Sequence, residues 1–145
     1  MRAFLDLGVK FPPEAYNYGE RSSGETHGVV LTKPHIVELI LDLAGYTTKK
    51  DLSALRLLEP SCGTGAFLVP AVRRLLKSAR KYKRKPSQLA DCIVAFDIDT
   101  SHVDATRRAV EAALNEEGIG NGAAKSLAEK WVRQDDFLLA SLGDA

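Results

Sequence analysis

The stretch Leu57-Leu-Glu-Pro-Ser-Cys-Gly-Thr-Gly-Ala-Phe-Leu68 decides the fold. An apolar run from Leu55 to Glu59 leads into Pro60 and two closely spaced glycines, Gly63 and Gly65. This composition is typical of a buried strand that runs into a tight turn. Apolar residues at helical spacing then predict an amphipathic helix with Pro70 near its start: Leu68, Ala71, Val72, Leu75, Leu76 and Ala79.

A second helix is predicted before this strand. Thr32 is a suitable N-cap, Pro34 fits the first turn, and Gly45 can end the helix. The predicted apolar face consists of Ile36, Leu39, Ile40 and Leu43.

The same alternation continues towards the carboxyl terminus. Residues Cys92 to Phe96 form a second apolar run that ends at Asp97, and Trp131 to Gln134 form a weaker third one. Between them, Thr100 or Ser101 is predicted to cap a helix, and a short helix is expected around residues 123–130. The face of the longer helix is predicted to carry Val103, Arg107, Val110 and Leu114.

Strand and helix alternation predicts the fold class α/β, with a parallel sheet flanked by helices. We expect residues 1–28 to form an initial segment and a loop, and residues 29–145 to form the N-terminal part of one domain that is incomplete here. The sheet is predicted to stop after its third strand.

Composition excludes several classes of protein. With 45 % apolar and 27 % charged residues the chain can bury a core, and a net charge of +1 does not by itself direct it to nucleic acid. The two cysteines form no CxxC pair and the three histidines are scattered, so neither a disulfide framework nor a metal site is predicted. The amino terminus is a poor signal peptide and no membrane span, so we expect a cytoplasmic protein.

An acidic residue follows or ends each predicted strand: Glu59, Asp97 and Asp136. Ligands of open parallel sheets bind at the carboxyl ends of the strands, so these acids are candidate ligand contacts. Gly63 and Gly65 would let the backbone approach a ligand, and the helix after them would favour an anionic group such as a phosphate or a methionine carboxylate. The alternative is that both glycines only form a turn.

Asp97 is the candidate acceptor for ribose hydroxyls, because an acid at this position of a nucleoside site makes charge-assisted hydrogen bonds. Asp136 could accept from an adenine amino group while Phe137 or Ile98 packs on the ring. The alternatives are ordinary turn residues at both positions. Asp99 fits the role of a turn or cap residue better.

Two better-known ligand loops do not fit. Leu68 stands where GxGxxG requires its third glycine, and no Lys-Ser or Lys-Thr pair follows the loop as in a phosphate loop.

The sequence resembles the N6-adenine-specific DNA methyltransferases of type II restriction-modification systems, in which cofactor motifs precede the catalytic motif. Four stretches carry the resemblance, in matching order and spacing: Gly28 to Ile40, Leu57 to Leu68, Ala95 to Asp99, and Asp135 to Leu138.

The resemblance implies a partial Rossmann-like fold that binds S-adenosyl-L-methionine. It implies that Thr32 holds the methionine end, that Glu59 serves its ammonium group and that Asp97 binds the ribose. It also implies that Ile98 flanks the adenine, and that Asp136 and Phe137 hold its edge and face. The loop residues Pro60, Cys62, Gly63 and Gly65 belong to the same implied cofactor site.

The family's catalytic tetrapeptide, Asn/Asp-Pro-Pro-Tyr/Phe, does not occur in the 145 residues, since Phe11 precedes Pro12-Pro13. In the family this motif grips a flipped adenine, so no catalytic residue is predicted here. Contact with DNA is expected through a downstream region. The chain is therefore interpreted as a truncated product, a cloned fragment, or one piece of a split enzyme whose second chain carries the motif.

Two further alternatives stay open. One is methylation of another planar nitrogen, in an RNA base or a protein glutamine; the other is a cofactor-binding module or inactive scaffold. The basic segment (Lys77, Arg80, Lys81, Lys83, Arg84 and Lys85) is either a solvated face that suits the helix dipole or a contact for DNA phosphates.

Overall fold

The computed structural model describes residues 32–140. In chain order these residues form α1 (Pro34–Leu43), β1 (Leu57–Glu59), α2 (Leu68–Lys81), β2 (Ile93–Asp97), α3 (Thr100–Glu116), α4 (Asn121–Trp131) and β3 (Val132–Gln134). Two 3-10 turns, Leu52–Ala54 and Pro86–Leu89, precede β1 and β2. The predicted segment 1–28 and its boundary lie outside the described residues, and the domain division stays a prediction.

The three strands form one parallel sheet in the order β1-β2-β3, which confirms the predicted fold class. Leu57 pairs with Ile93, and Glu59 pairs with Ala95. On the other side of β2, Asp97 pairs with Gln134. All three strands therefore point the same way and end at one edge of the sheet.

One face of β2 packs into the core beneath the helices. Ile93 and Ala95 belong to the main apolar cluster with the predicted stripe of α2, from Leu68 to Ala79, and with Val103, Val110 and Leu114 of α3. Because side chains alternate along a strand, Val94 and Phe96 point to the opposite face. The predicted apolar face of α2 is thus confirmed, as are Val103, Val110 and Leu114 of α3. Arg107, predicted on the same face, is outside the core, and its guanidinium donates to the carbonyl of Val132.

Trp131 is the largest fully buried side chain of the described residues. It is the last residue of α4 and not the first of β3, so the third strand is one residue shorter than predicted. Its indole Nε1 donates to the carbonyls of Leu89 and Ala90, at 3.1 and 3.2 Å. These bonds satisfy the polar atom that a buried tryptophan carries.

The predicted face of α1 is wrong. Val37 and Leu41 are the buried residues of this helix, while Ile40 and Leu43 are 42 % and 64 % exposed. Glu38 and Asp42, on the adjoining side, both form ion pairs with Arg74 of α2. The buried side of α1 therefore carries Val37 and Leu41, next to the residues that pair with Arg74, and not Ile40 and Leu43.

Two predicted caps also differ from the structure. Lys33, not Thr32, is the N-cap of α1, and it makes no side-chain capping bond. Asp99, not Thr100 or Ser101, caps α3, since its carboxylate accepts from the backbone N–H of Ser101 at 2.7 Å. Pro70 is the third residue of α2, where the first turn requires no donor from it.

Candidate functional site

The loop after β1 is fastened to the end of β2. The N–H of Cys62 donates to the carbonyl of Phe96 at 2.8 Å, and the N–H of Gly65 donates back to the carbonyl of Cys62 at 2.9 Å. Gly63 and Gly65 both have positive φ, +52° and +91°. This left-handed conformation favours glycine, so the loop requires glycines for its shape.

The two glycines have different surroundings. A Cβ at Gly65 would lie 3.4 Å from Thr106 Oγ1 and from Val69 Cγ2. A Cβ at Gly63 would meet no atom of the described residues within 4 Å. Gly65 is therefore packed against α3, whereas the α-carbon of Gly63 faces open space that a ligand could enter.

Asp97 joins this loop to the end of the second strand. Its carboxylate is buried, with 7 % of the residue exposed, and its Oδ2 accepts the N–H of Gly63 at 2.8 Å. Its Oδ1 accepts the N–H of Asp99 at 2.9 Å and lies 3.4 Å from Nδ1 of His102. Two predicted site residues, Asp97 and Gly63, are thus in direct contact.

Thr106 is a residue of this site that sequence analysis missed. It is completely buried on α3, and its hydroxyl donates to the carbonyl of Gly63 at 2.7 Å. The available clue was a hydroxyl in the buried stripe between Val103 and Val110, because buried polar groups almost always have a partner. The partner itself could not be identified from the sequence.

Glu59 ends β1 on the same side of the sheet. It pairs with Ala95, and since alternate side chains share a face, its side chain points to the same face as that of Asp97. Desolvation raises the pKa of Glu59, and the backbone N–H of Ser61, which donates to Oε1 at 3.2 Å, opposes this shift. A partly buried carboxylate of this kind gains from a cationic partner.

Cys62 lies between these acids but is a packing residue, 4 % exposed. Burial raises the pKa of its thiol to about 11; a hydrogen bond with Thr106 opposes the rise, and the charges of Asp97 and Glu59 add to it. The thiol therefore stays protonated at neutral pH and is a poor nucleophile. Pro60, at the start of the loop, is exposed.

The end of β3 reaches the same edge. The N–H of Asp135 donates to the carbonyl of Asp97 at 3.1 Å. The carboxylate of Asp136 accepts the N–H of Leu138 at 2.9 Å, which makes Asp136 part of a turn. The ring of Phe137 packs against Phe96 with centroids 6.1 Å apart.

Ile98 directly follows β2 and is 72 % exposed. An exposed isoleucine beside a buried carboxylate is available to contact a ligand at this edge.

Thr32 is exposed and lies two residues before the first residue of α1. Within α2, Arg74 contacts Glu38 and Asp42 of α1. Further along α2, Lys81 and Tyr82 donate to backbone carbonyls of the segment that follows α1. The two helices therefore run in the same direction. The start of α1 therefore lies towards the glycine loop, where α2 also starts. The structure gives no contact between Thr32 and the loop.

The basic segment is at the opposite end of the sheet, because α2 runs antiparallel to the strand that precedes it. Arg80 pairs with Glu117, and Arg84 pairs with Asp51 in the turn before β1. These ion pairs favour the solvated face over the contact with DNA.

A cavity of about 640 Å³ lies along α1 and α2. Its lining residues include Glu38, Asp42, Lys49, Arg74 and Lys77, none of which is a predicted cofactor-binding residue. Across residues 32–140, no group of three or more histidine, cysteine or acidic side chains is arranged to hold a metal ion. None of the helices in this range combines the length and apolar composition needed to cross a membrane.

A parallel three-stranded sheet with flanking helices, and a glycine loop braced by the acid that ends the neighbouring strand, defines a partial Rossmann-like methyltransferase fold. Comparison with curated proteins finds type II methyltransferases among the relatives. The chain is 43 % identical over 121 residues to the type II methyltransferase M.PaeR7I of Pseudomonas aeruginosa, covering 81 % of the chain and 21 % of that protein. It is 40 % identical over 117 residues to the type II methyltransferase M.BstVI of Geobacillus stearothermophilus, covering 78 % and 21 %.

A third relative, the type II methyltransferase M.XhoI of Xanthomonas vasicola, is 36 % identical over 122 residues, covering 81 % of the chain and 22 % of that protein. The chain is therefore similar to a segment of these three type II methyltransferases. It spans about a fifth of the length of these curated relatives. No family model and no solved structure matches it.

Proposed function

We propose that this chain is the S-adenosyl-L-methionine-binding part of a DNA methyltransferase that modifies the N6 atom of adenine. The observation that carries the proposal is the Gly63 peptide, which is braced by Asp97 while its α-carbon faces open space. Relatives that are type II methyltransferases support the same assignment. When bound, the cofactor would supply the methyl group.

The residues at the strand ends fit the cofactor in parts. The loop at Gly63 and the start of α2 suit the methionine carboxylate, since a helix amino terminus favours an anion. Glu59, whose burial disfavours its charge, would gain from the methionine ammonium group. Thr32, Pro60, Cys62 and Gly65 complete the methionine end of the proposed site.

The nucleoside part fits beside Asp97. Two backbone N–H groups occupy only part of the acceptor capacity of this carboxylate, which leaves room for ribose hydroxyls. Ile98 would pack on the adenine because it is exposed immediately after the ribose acceptor. Asp136 and Phe137 would hold the adenine edge and its face.

Calorimetric titration of the full chain with S-adenosylmethionine and S-adenosylhomocysteine tests the cofactor part of the proposal. We expect one binding site for each ligand. Absence of binding heat for both ligands at about millimolar concentration, with a folded sample, would contradict it.

Substrate specificity needs its own measurement. We expect the isolated chain not to methylate DNA, because placement of reactants accounts for roughly 7–11 kcal/mol of a barrier and the chain lacks the tetrapeptide that grips the adenine. Transfer of tritiated methyl to DNA should appear only when a second polypeptide carrying the motif is added. Label at adenine N6 with the chain alone would refute this expectation. Label on RNA or on protein glutamine instead would replace DNA as the proposed substrate.

A second candidate is a cofactor-binding module of a split or inactive methyltransferase. Binding of S-adenosylmethionine without methyl transfer under any combination of partner and substrate would support this candidate.

A further inference from the structure

The backbone N–H and the backbone carbonyl of Gly63, together called the Gly63 peptide, both form hydrogen bonds with the segment that contains β2 and α3. Asp97 accepts its N–H at 2.8 Å, and Thr106 donates to its carbonyl at 2.7 Å. The two partners lie 34 and 43 positions from Gly63 in the sequence. The shape of the glycine loop is thus fixed by residues outside the loop.

The hydrogen bond of Thr106 is unusual for its position. A threonine within a helix commonly donates to the carbonyl of the preceding turn in its own helix. Thr106 instead donates across to the loop, and it is completely buried while doing so. The same side chain limits the space at Gly65, where an added Cβ would lie 3.4 Å from Oγ1 and 3.5 Å from Cγ2.

We propose that Thr106 is a positioning residue for cofactor binding, which acts by holding the Gly63 peptide in the orientation that receives the methionine end. The inference rests on the proposed function of this site. Thr106 is too deeply buried to touch the ligand itself. Its loss should therefore weaken binding of the methionine part more than binding of the nucleoside part.

Thr106→Val keeps the shape of the side chain and removes the hydroxyl, whereas Thr106→Ser keeps the hydroxyl. We expect Thr106→Val to weaken S-adenosylhomocysteine about five- to tenfold in calorimetry, and to weaken adenosine less than about twofold. Thr106→Ser should bind S-adenosylhomocysteine within about threefold of the wild type.

Ser78→Ala is the matched structural control. The Ser78 hydroxyl is equally buried, accepts the N–H of Leu52 at 2.9 Å and donates to the carbonyl of Lys50 at 2.7 Å, but it lies towards the far end of α2. Its loss should lower the melting temperature as much as Thr106→Val does and leave the affinity for S-adenosylhomocysteine unchanged.

The inference is overturned if Thr106→Val binds both ligands like the wild type, or if it weakens them equally. It is also overturned if Ser78→Ala reproduces the loss of affinity. Should Thr106→Val fail to fold, Thr106→Ala takes its place, with the same ratio of the two affinities as the criterion. Failure of the wild type to bind S-adenosylhomocysteine would refute both the proposed function and the inference. Normal binding by both the wild type and Thr106→Val would refute the inference alone.

Discussion

The helix-packed face of the sheet and the edge where its strands end are stabilised by different interactions. On the packed face, Ile93, Ala95 and Trp131 are enclosed by apolar side chains, and the one indole N–H has backbone acceptors. At the edge, Asp97 and Thr106 are buried polar groups that bond to the Gly63 peptide. Burial of apolar area stabilises the fold but is not directional. Hydrogen bonds are directional, so they can hold the glycine loop in one conformation where a ligand would bind.

The largest effect should come from breaking the packed face. Trp131→Ala removes a fully buried ring and leaves two carbonyls without their donor, so we expect the free energy of unfolding to fall by about 3–5 kcal/mol. Urea denaturation followed by circular dichroism measures this. Leu138→Ala, at a position that is 85 % exposed, is the control and should be nearly neutral. A loss below about 1 kcal/mol for Trp131→Ala would mean that the core is organised differently.

Breaking the edge should affect ligand binding more than stability. Hydrogen bonds to a charged acceptor are worth roughly 1.5–3 kcal/mol, so Asp97→Ala should weaken S-adenosylhomocysteine by about one to two orders of magnitude. The structure gives a second reason to expect weaker binding, because Asp97→Ala also leaves the N–H groups of Gly63 and Asp99 without an acceptor.

Asp99→Ala is the matched comparison for Asp97→Ala. Asp99 caps α3 and is exposed, and its hydrogen bonds from Ser101 lower the pKa of its carboxyl. Asp99→Ala should lower the free energy of unfolding only at pH values above the range in which the Asp99 carboxyl titrates. It should change the affinity for S-adenosylhomocysteine little. Equal loss of affinity in the two variants would show that the ribose acceptor has been assigned to the wrong carboxylate.

The smallest effect concerns Glu59. Because burial raises the pKa of Glu59, its contribution to stability is fully present below the unfolded pKa and is lost as the pH rises through the folded pKa. Glu59→Gln does not titrate, so its stability relative to the wild type should rise as the pH rises from the unfolded pKa of a glutamate through the raised folded pKa of Glu59. Thermal melts across this range measure the difference. A difference that stays constant with pH would show that Glu59 is not desolvated.

The same variant should bind S-adenosylmethionine more weakly at neutral pH, since it lacks the charge that faces the ammonium group. Higher stability together with lower affinity is the expected combination for a residue that serves binding at the expense of folding.

Sequence reasoning predicted the parallel sheet because apolar runs, turn residues and helical stripes recur in a regular order. It also predicted that the strand-end acids lie at one edge, and it recognised Asp99 as a turn or cap residue. The face of α1 was predicted wrongly because nearly every position outside Glu38 and Asp42 is apolar, so spacing could not choose between stripes. Thr106 was missed because its partner is 43 positions away, a contact that only the folded chain brings about.

Residue-level mapping of S-adenosylhomocysteine binding by backbone amide NMR tests the central claim most directly. On titration of the full chain we predict that the amides of Gly63, Gly65, Ile98 and Asp136 shift together in one binding process, and that those of Thr47, Thr48 and Lys49 beside the cavity of α1 and α2 do not. Shifts confined to the cavity, or no shift of Gly63 at saturating ligand, would contradict a cofactor site at the carboxyl edge of the sheet.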